Sequence, residues 1–334
     1  MKQWGELFDT FVDAALDTAE EAVGREEILA HLNSGTLVPG RYMYASDLGA
    51  NNWIRLCNDS MYRHHRETVE FWANSAGKEI ATLVHERLGD DVDYVSLGPG
   101  AGEKDAELIG HWLNAGMDIF YYPYDISRVL VSKAITAVRE GAPRTAIERL
   151  RIKAVLADFN HLSAVSEVFE HRASPNVVAL LGSLGNLDNE LKFLRKLKQQ
   201  MSPKDILVLE VRLRSDKERP TELTDGDAAL RFDFGALESY LGLRFRPELM
   251  TIKREQDISS IGDTVTTVVG CKQIKYGNSC YPEIKLLYIH QYTEEAFLAA
   301  LKGVGFEVVK SMRRDRSENF LVCIVRRKEV RRGR

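Results

Sequence analysis

Several features that would announce a function are scarce or missing in this chain. No run of apolar residues approaches the roughly 20 that a membrane-spanning helix needs, so no membrane partner is expected. Met1 to Leu16 carry acids among their apolar residues and lack the charged-then-apolar order of a secretory signal. Cysteine is rare: Cys57, Cys271, Cys280 and Cys323 stand far apart, form no CxxC pair and have no histidines spaced around them. That excludes the usual zinc patterns, and four scattered thiols suit a reducing cytoplasm better than a disulfide framework. No metal site is expected. Excess positive charge is also lacking. The formal net charge is -4, so the surface as a whole does not attract nucleic acid. The mostly basic stretch from Arg326 to Arg334 reads as a solvated tail. There is no internal repeat and no low-complexity linker.

What remains is an ordinary globular composition, 334 residues with 44% hydrophobic content, ordered in a telling way. Residues 5–33 read as one helix, with Leu7, Phe8, Phe11, Ala14 and Ala15 at helical spacing, and 66–88 as another. Short apolar runs then alternate with helical patterns. Strands are expected at 92–97, 118–124, 151–157, 176–181 and 205–211. Helices are expected at 103–114, 127–140, 161–171 and 188–200. Such alternation predicts a parallel sheet covered on both faces, doubly wound because its crossovers are right-handed. Residues 214–291 interrupt the pattern with a helix at 227–242 and strands near 248–254, 264–274 and 284–290. A helix at 294–303 and a strand pair at 306–311 and 319–326, read as an antiparallel hairpin, close the chain. The expected division is 61–213 with 292–327 as the doubly wound domain, and 1–60 with 214–291 as an α+β subdomain covering its ligand edge.

Chemistry-bearing residues collect where the expected strands end. The first strand runs into Gly98-Pro99-Gly100-Ala101-Gly102-Glu103-Lys104. Glycines there let the backbone approach a ligand at the sheet's carboxyl edge. Glu103 occupies the last glycine position of the dinucleotide fingerprint, so the loop suits S-adenosylmethionine better than NAD. The second strand ends at Asp125, which can accept hydrogen bonds from both ribose hydroxyls or cap the helix that follows. The third ends in Asp158-Phe159, an acceptor for an adenine amino group beside a ring that can pack on the base. The fourth ends in Gly182-Ser183-Leu184-Gly185-Asn186-Leu187, where Asn186 can orient an amine or carboxylate substrate next to the transferred methyl group.

Together these motifs resemble the histidine-specific methyltransferase family, whose best-known member trimethylates the α-amino group of histidine. The likeness runs from about Arg41 to Arg326. The family's LGxGxxEK is met at Leu97, Gly98, Gly100, Glu103 and Lys104, and its D-[IV]-S at Asp125, Ile126 and Ser127. Its DFxxL is met at Asp158, Phe159 and Leu162, and its GxxxGNL at Gly182, Gly185, Asn186 and Leu187. The resemblance implies a class I methyltransferase fold, a Rossmann-like doubly wound sheet with a terminal antiparallel hairpin. It implies S-adenosylmethionine as methyl donor, held by Gly98, Gly100, Lys104, Asp125, Asp158 and Phe159. It also implies a catalytic and substrate-binding role for Asn186 and, as the upstream tyrosine enclosing substrate, Tyr44. Tyr62 is a further substrate-side candidate.

Two departures bear on substrate. The acid that normally opens the glycine motif is Ser96. In place of the Glu and Ser that read the imidazole in histidine-methylating members stand Leu287 and Ile289. An apolar pair cannot pair with an imidazole, so histidine is expected to be a poor substrate. The expected function is N-methylation of another amino acid or small amine, with secondary metabolism as its expected setting. The alternatives are O- or C-methylation of an aromatic natural product, and non-catalytic S-adenosylmethionine binding. His64, His65 and His290 are the candidate bases, since histidine titrates near neutrality.

Overall fold

A computed structural model describes residues 12–13, 20–159, 175–187, 189–214, 226–313 and 320–328. The helix expected at 161–171 and the end of the basic tail lie outside them. In chain order the strands are β1 (Val12–Asp13), β2 (Asp91–Leu97), β3 (Asp118–Asp125), β4 (Leu150–Ile152), β5 (Val155–Leu156), β6 (Asn176–Leu181), β7 (Ile206–Arg212), β8 (Met250–Gln256), β9 (Thr264–Tyr276), β10 (Ser279–Tyr292), β11 (Phe306–Met312) and β12 (Phe320–Arg327). Helices α1 (Glu20–Ser34), α2 (Tyr42–Ala45), α3 (Asp47–Cys57), α4 (Arg63–Phe71) and α5 (Gly77–Leu88) precede the first long strand. Then come α6 (Glu103–Asn114), α7 (Arg128–Gly141), α8 (Glu190–Gln200), α9 (Asp227–Leu241) and α10 (Glu294–Val304).

The main sheet has the order β1-β5-β3-β2-β6-β7-β12-β11, with β4 also paired to β3. All neighbours are parallel except β12 against β7 and β11 against β12. Burial on both faces explains why β2, β6 and β7 read as continuous apolar runs rather than alternating ones. On one face Phe193, Leu194 and Leu197 of α8 and Phe297 and Leu301 of α10 fill the core. On the other, Trp72, Ile80 and Val84 join Leu108, Ile109 and Trp112 of α6. Asp105 pins α6 to this face by accepting from the hydroxyls of Tyr94 on β2 and Tyr121 on β3, both at 2.6 Å. Sequential strands run outward in opposite directions from β2 and β6, which are neighbours. In such sheets ligands bind in the crevice at that switch point, outside the carboxyl ends of the strands.

The antiparallel sheet β10-β9-β8 is separate. Its inner face packs with α1, α2, α3 and α9 around Ile28, Tyr42, Leu56, Phe232, Phe234, Leu237 and Val269. Backbone contacts tie it to the rest: Arg214 N donates to Tyr292 O at 2.7 Å and Val38 N to Lys285 O at 2.9 Å. Among the described residues no helix is long and apolar enough to cross a membrane.

Three expectations need correction. The single helix over 5–33 does not form, since Val12–Asp13 instead hydrogen-bond to the open edge of β5 as a short parallel strand. The strand over 151–157 is broken into β4 and β5. These pair with Ile119–Tyr121 and Tyr124–Asp125 of β3 but skip its middle, where Pro123 has no N–H for the ladder. The helix over 66–88 is interrupted by a π turn, Trp72–Ala76. Such turns insert a residue and re-aim the side chains around them.

Candidate active site

The carboxyl ends of β2, β3, β5 and β6 and the inner face of the second unit enclose one cavity of ≈ 440 Å³. Its volume is that of a small-molecule site. Gly98, Gly100, Lys104, Asp125, Asp158 and Phe159 line it, and so do Tyr44, Tyr62, Asn186, Leu287 and Ile289. Side chains drawn from both expected domains therefore meet in one place.

The glycine loop is bare backbone by necessity. Gly98 has φ 72, and a Cβ there would stand 2.7 Å from Ser183 Oγ and 3.3 Å from the Phe159 ring. Gly102 has φ 85, and a Cβ there would meet the Ala134 backbone at 2.4 Å. The first leaves room for Ser183 and Phe159 against the loop; the second lets α6 seat against α7.

Asp125 is buried, and its Oδ1 accepts the Ser127 N–H at 2.9 Å. An ionised carboxylate has about four acceptor positions, so capacity remains for further donors at the cavity wall. Burial pushes this carboxyl up to about 7 against the backbone donors of Ser127 and Ile126, with the Asp158 charge adding to the rise. Asp158 lies 3.5 Å from Arg41 Nη1, and the same guanidinium holds Glu27 of α1 at 2.5 Å. Phe159 meets Phe193 edge-on at 6.0 Å.

Lys104 lines the cavity and is also paired within the protein. Its ammonium sits 2.5 Å from Glu210 Oε1, and Glu210 Oε2 accepts the Trp72 indole N–H at 2.6 Å. The π turn presents Trp72 to this carboxylate. A charge inside the apolar run of β7 was the sequence signal for Glu210, and the expected site left it out.

The wall that begins beside Gly100 is aromatic. Trp53 of α3 packs on Tyr44 at 5.7 Å, Phe232 at 5.3 Å and Tyr62 at 6.2 Å, and Tyr44 packs on Phe232 at 5.1 Å. All four rings line the cavity. Trp53 and Phe232 escaped the sequence reading because they look like any apolar residue of an amphipathic helix. Burial raises the Tyr44 phenol far above its ordinary range, and the nearby Tyr62, Asp125 and Asp233 add to the effect. Tyr44 therefore stays a neutral hydroxyl. The Asn186 side-chain amide has no hydrogen-bond partner among the described residues, while its loop is held by Gly185 packing on the His290 backbone. Leu287 and Ile289 alternate along β10 and face the cavity together.

Of the candidate bases, His65 lines the cavity, with Nε2 3.8 Å from Glu103 Oε1. His290 is buried, with Nδ1 2.7 Å from Thr266 Oγ1 and Nε2 3.7 Å from Glu190. The His64 side chain lies outside the described residues. No cluster able to hold a metal ion occurs among the described residues.

A doubly wound sheet of this strand order with an antiparallel end, a glycine loop after its first long strand and acids at the next two strand ends defines a class I methyltransferase. The bare loop and the buried, incompletely paired Asp125 carboxylate fit S-adenosylmethionine. The chain belongs to the family described as histidine-specific, S-adenosylmethionine-dependent methyltransferases, whose model matches residues 24–221. It is an S-adenosylmethionine-dependent methyltransferase.

Among solved structures, it is similar to an S-adenosylmethionine-dependent methyltransferase from Clostridium acetobutylicum ATCC 824, with 13% identity over 78% of this chain and 92% of that one and a TM-score of 0.42. The CcbJ methyltransferase from Streptomyces caelestis shares 13% identity over 76% and 90%, with a TM-score of 0.41. The 1,6-didemethyltoxoflavin-N1-methyltransferase of Burkholderia thailandensis shares 13% over 95% and 94%, with a TM-score of 0.39. Comparison with the curated proteins gives no significant match.

Proposed function

We propose that this enzyme methylates the nitrogen of a small amine or amino acid other than histidine. The observation that carries this reading is the wall of four aromatic rings, Tyr44, Trp53, Tyr62 and Phe232, whose Trp53 indole lies against the glycine loop at Gly100. Ring faces attract alkylammonium groups by cation–π interaction, and the attraction survives as methyl groups replace N–H bonds. Leu287 and Ile289 complete the lining, and at their two positions an imidazole finds no hydrogen-bond partner.

In this reading Gly98, Gly100, Asp125, Asp158 and Phe159 hold the methyl donor, with Lys104 fixed by Glu210 at the same edge. Bound there, S-adenosylmethionine supplies an electrophilic methyl group on a sulfonium. Residues 20–60 and 226–291 act as the substrate-binding subdomain and exclude water, while Val12–Asp13 belong to the main sheet. Asn186 uses its unpaired amide to orient the acceptor, Tyr44 donates or accepts one hydrogen bond without taking a proton, and the proton that an ammonium substrate loses before its nitrogen attacks passes to solvent water. Positioning of this kind is the main contribution an enzyme makes to a displacement with a good leaving group, worth about 7–11 kcal/mol at best. The apolar Leu287–Ile289 wall also favours a second reading, methylation of an oxygen or carbon of an aromatic compound.

The test is a radiolabelled methyl-transfer assay over histidine, tryptophan, tyrosine, simple amines and phenols, with products identified by mass. An amine other than histidine is the expected acceptor. Trp53→Ala should raise the KM for it by about 2- to 30-fold, the range of an aromatic–cation contact. Asn186→Ala should lower kcat. Efficient trimethylation of histidine, or transfer confined to phenols, would overturn the proposal.

A further inference from the structure

We infer that Glu103, positioned by His65, is the subsite for the α-ammonium of the methyl donor's amino-acid end. The inference rests on the donor-site reading above, with Asp158 and Phe159 at the base and Asp125 at the ribose. Those residues end β5 and β3, and the next strands along the sheet are β2 and β6. A chain leaving the ribose in that direction reaches the glycine loop and Glu103. It carries a zwitterion, and a partly dry cavity must supply an anion for the ammonium.

The charged or titratable side chains that line the cavity at this end include His65, Glu103, Lys104, Asp105, Glu210 and Arg212; Asp105 is buried and committed to the Tyr94 and Tyr121 hydroxyls. Glu210 is already committed. It is 2% exposed and accepts from both Lys104 and Trp72. Glu103 is the carboxylate with room, since 38% of its side chain is exposed and its neighbour His65 Nε2 stands at 3.8 Å, beyond a normal hydrogen bond. The imidazole is itself held in place. It stacks on Tyr62 at 5.9 Å with 9° between planes and meets the Trp53 edge at 6.5 Å. Burial works to raise the Glu103 carboxyl, but the His65 imidazole beside it, its own backbone and Lys104 bring it below the usual carboxylate range. It is thus an anion at neutral pH, facing the cavity. An acid in the first turn of α6 also favours the helix dipole, which is what a purely structural Glu103 would do.

Calorimetry on the full chain with two probes separates these roles. One probe is adenosylhomocysteine. The other is 5′-deoxy-5′-(3-carboxypropylthio)adenosine, the same thioether without its amine. The wild-type protein should prefer adenosylhomocysteine by roughly 10- to 100-fold, the range for a hydrogen bond to a charged group. Glu103→Gln should remove that preference and leave the affinity for the deamino probe within about twofold. His65→Phe, which keeps the stacked ring but removes the nitrogens, should reduce the preference by a smaller factor. An undiminished preference in Glu103→Gln, or equal weakening of both probes, overturns the inference. Asp125→Ala reports on the underlying reading. It should weaken both probes equally, and wild-type affinity for both would remove the donor site itself, whatever Glu103 does.

Discussion

Glu210→Ala is expected to destabilise the fold by about 3–5 kcal/mol, the range for breaking a buried ion pair by removing one partner. The substitution strands the Lys104 ammonium, whose side chain is only 12% exposed, and leaves the buried Trp72 indole N–H without its acceptor. An unsatisfied buried donor alone costs about 1–3 kcal/mol. Glu210→Gln keeps an acceptor for Trp72 and should lose less. Removing the stranded charge as well, in Glu210→Ala with Lys104→Met, should recover part of the loss. Urea unfolding checks this directly. A single Glu210→Ala midpoint equal to wild type would mean that the three-residue junction between α6, β7 and the π turn contributes nothing. The junction fixes the start of α6, so adenosylhomocysteine affinity should fall with it.

Asp125→Ala should weaken adenosylhomocysteine binding by about 1.5–3 kcal/mol, because the ribose hydroxyls lose a charged acceptor. The wild-type protein should also show a pH dependence that the variant lacks. With its carboxyl pushed up to about 7, Asp125 is largely neutral in the free protein at pH 6 and must release a proton to accept from two hydroxyls. Affinity is then full above about pH 7 and declines as pH falls through that value. The same shift acts on folding with the opposite consequence. An unfolded Asp titrates near 3.9, so the raised value favours the ligand-free fold below about pH 4, and that contribution is lost as pH rises to about 7. Calorimetry at pH 6, 7 and 8 tests the binding arm. Flat affinity in the wild type would remove Asp125 from ligand contact.

Much of this molecule is legible in its amino-acid order. Strands buried on both faces must be apolar throughout, and helices that cover them must be apolar on one side, so β2, β6, β7 and α6 can be placed almost to the residue. Glycines at 98, 100 and 102 and acids at 125 and 158 stand out because they punctuate apolar strands at their ends. The limits of local reading are equally physical. Pro123 breaks a ladder on a neighbouring strand, so the split between β4 and β5 depends on which strands pair. The stretch at 12–13 took its conformation from an open strand edge more than 140 residues away.

The side-chain partners were decided only by tertiary structure. Lys104 follows the glycine loop by one turn of chain logic, yet its ammonium answers to Glu210, 106 residues on. Trp53 and Phe232 look like core residues in sequence because burial in a core and a place on a cavity wall select the same rings. The order of the strands placed Asp158, Asp125 and the glycine loop along one edge, and the periodicity of the sequence determined that such an edge would exist. Packing of α3 and α9 against β10 determined what would face it. Local pattern records which residues must leave water; which groups they meet once there depends on contacts between distant segments, and those exist only in the folded chain.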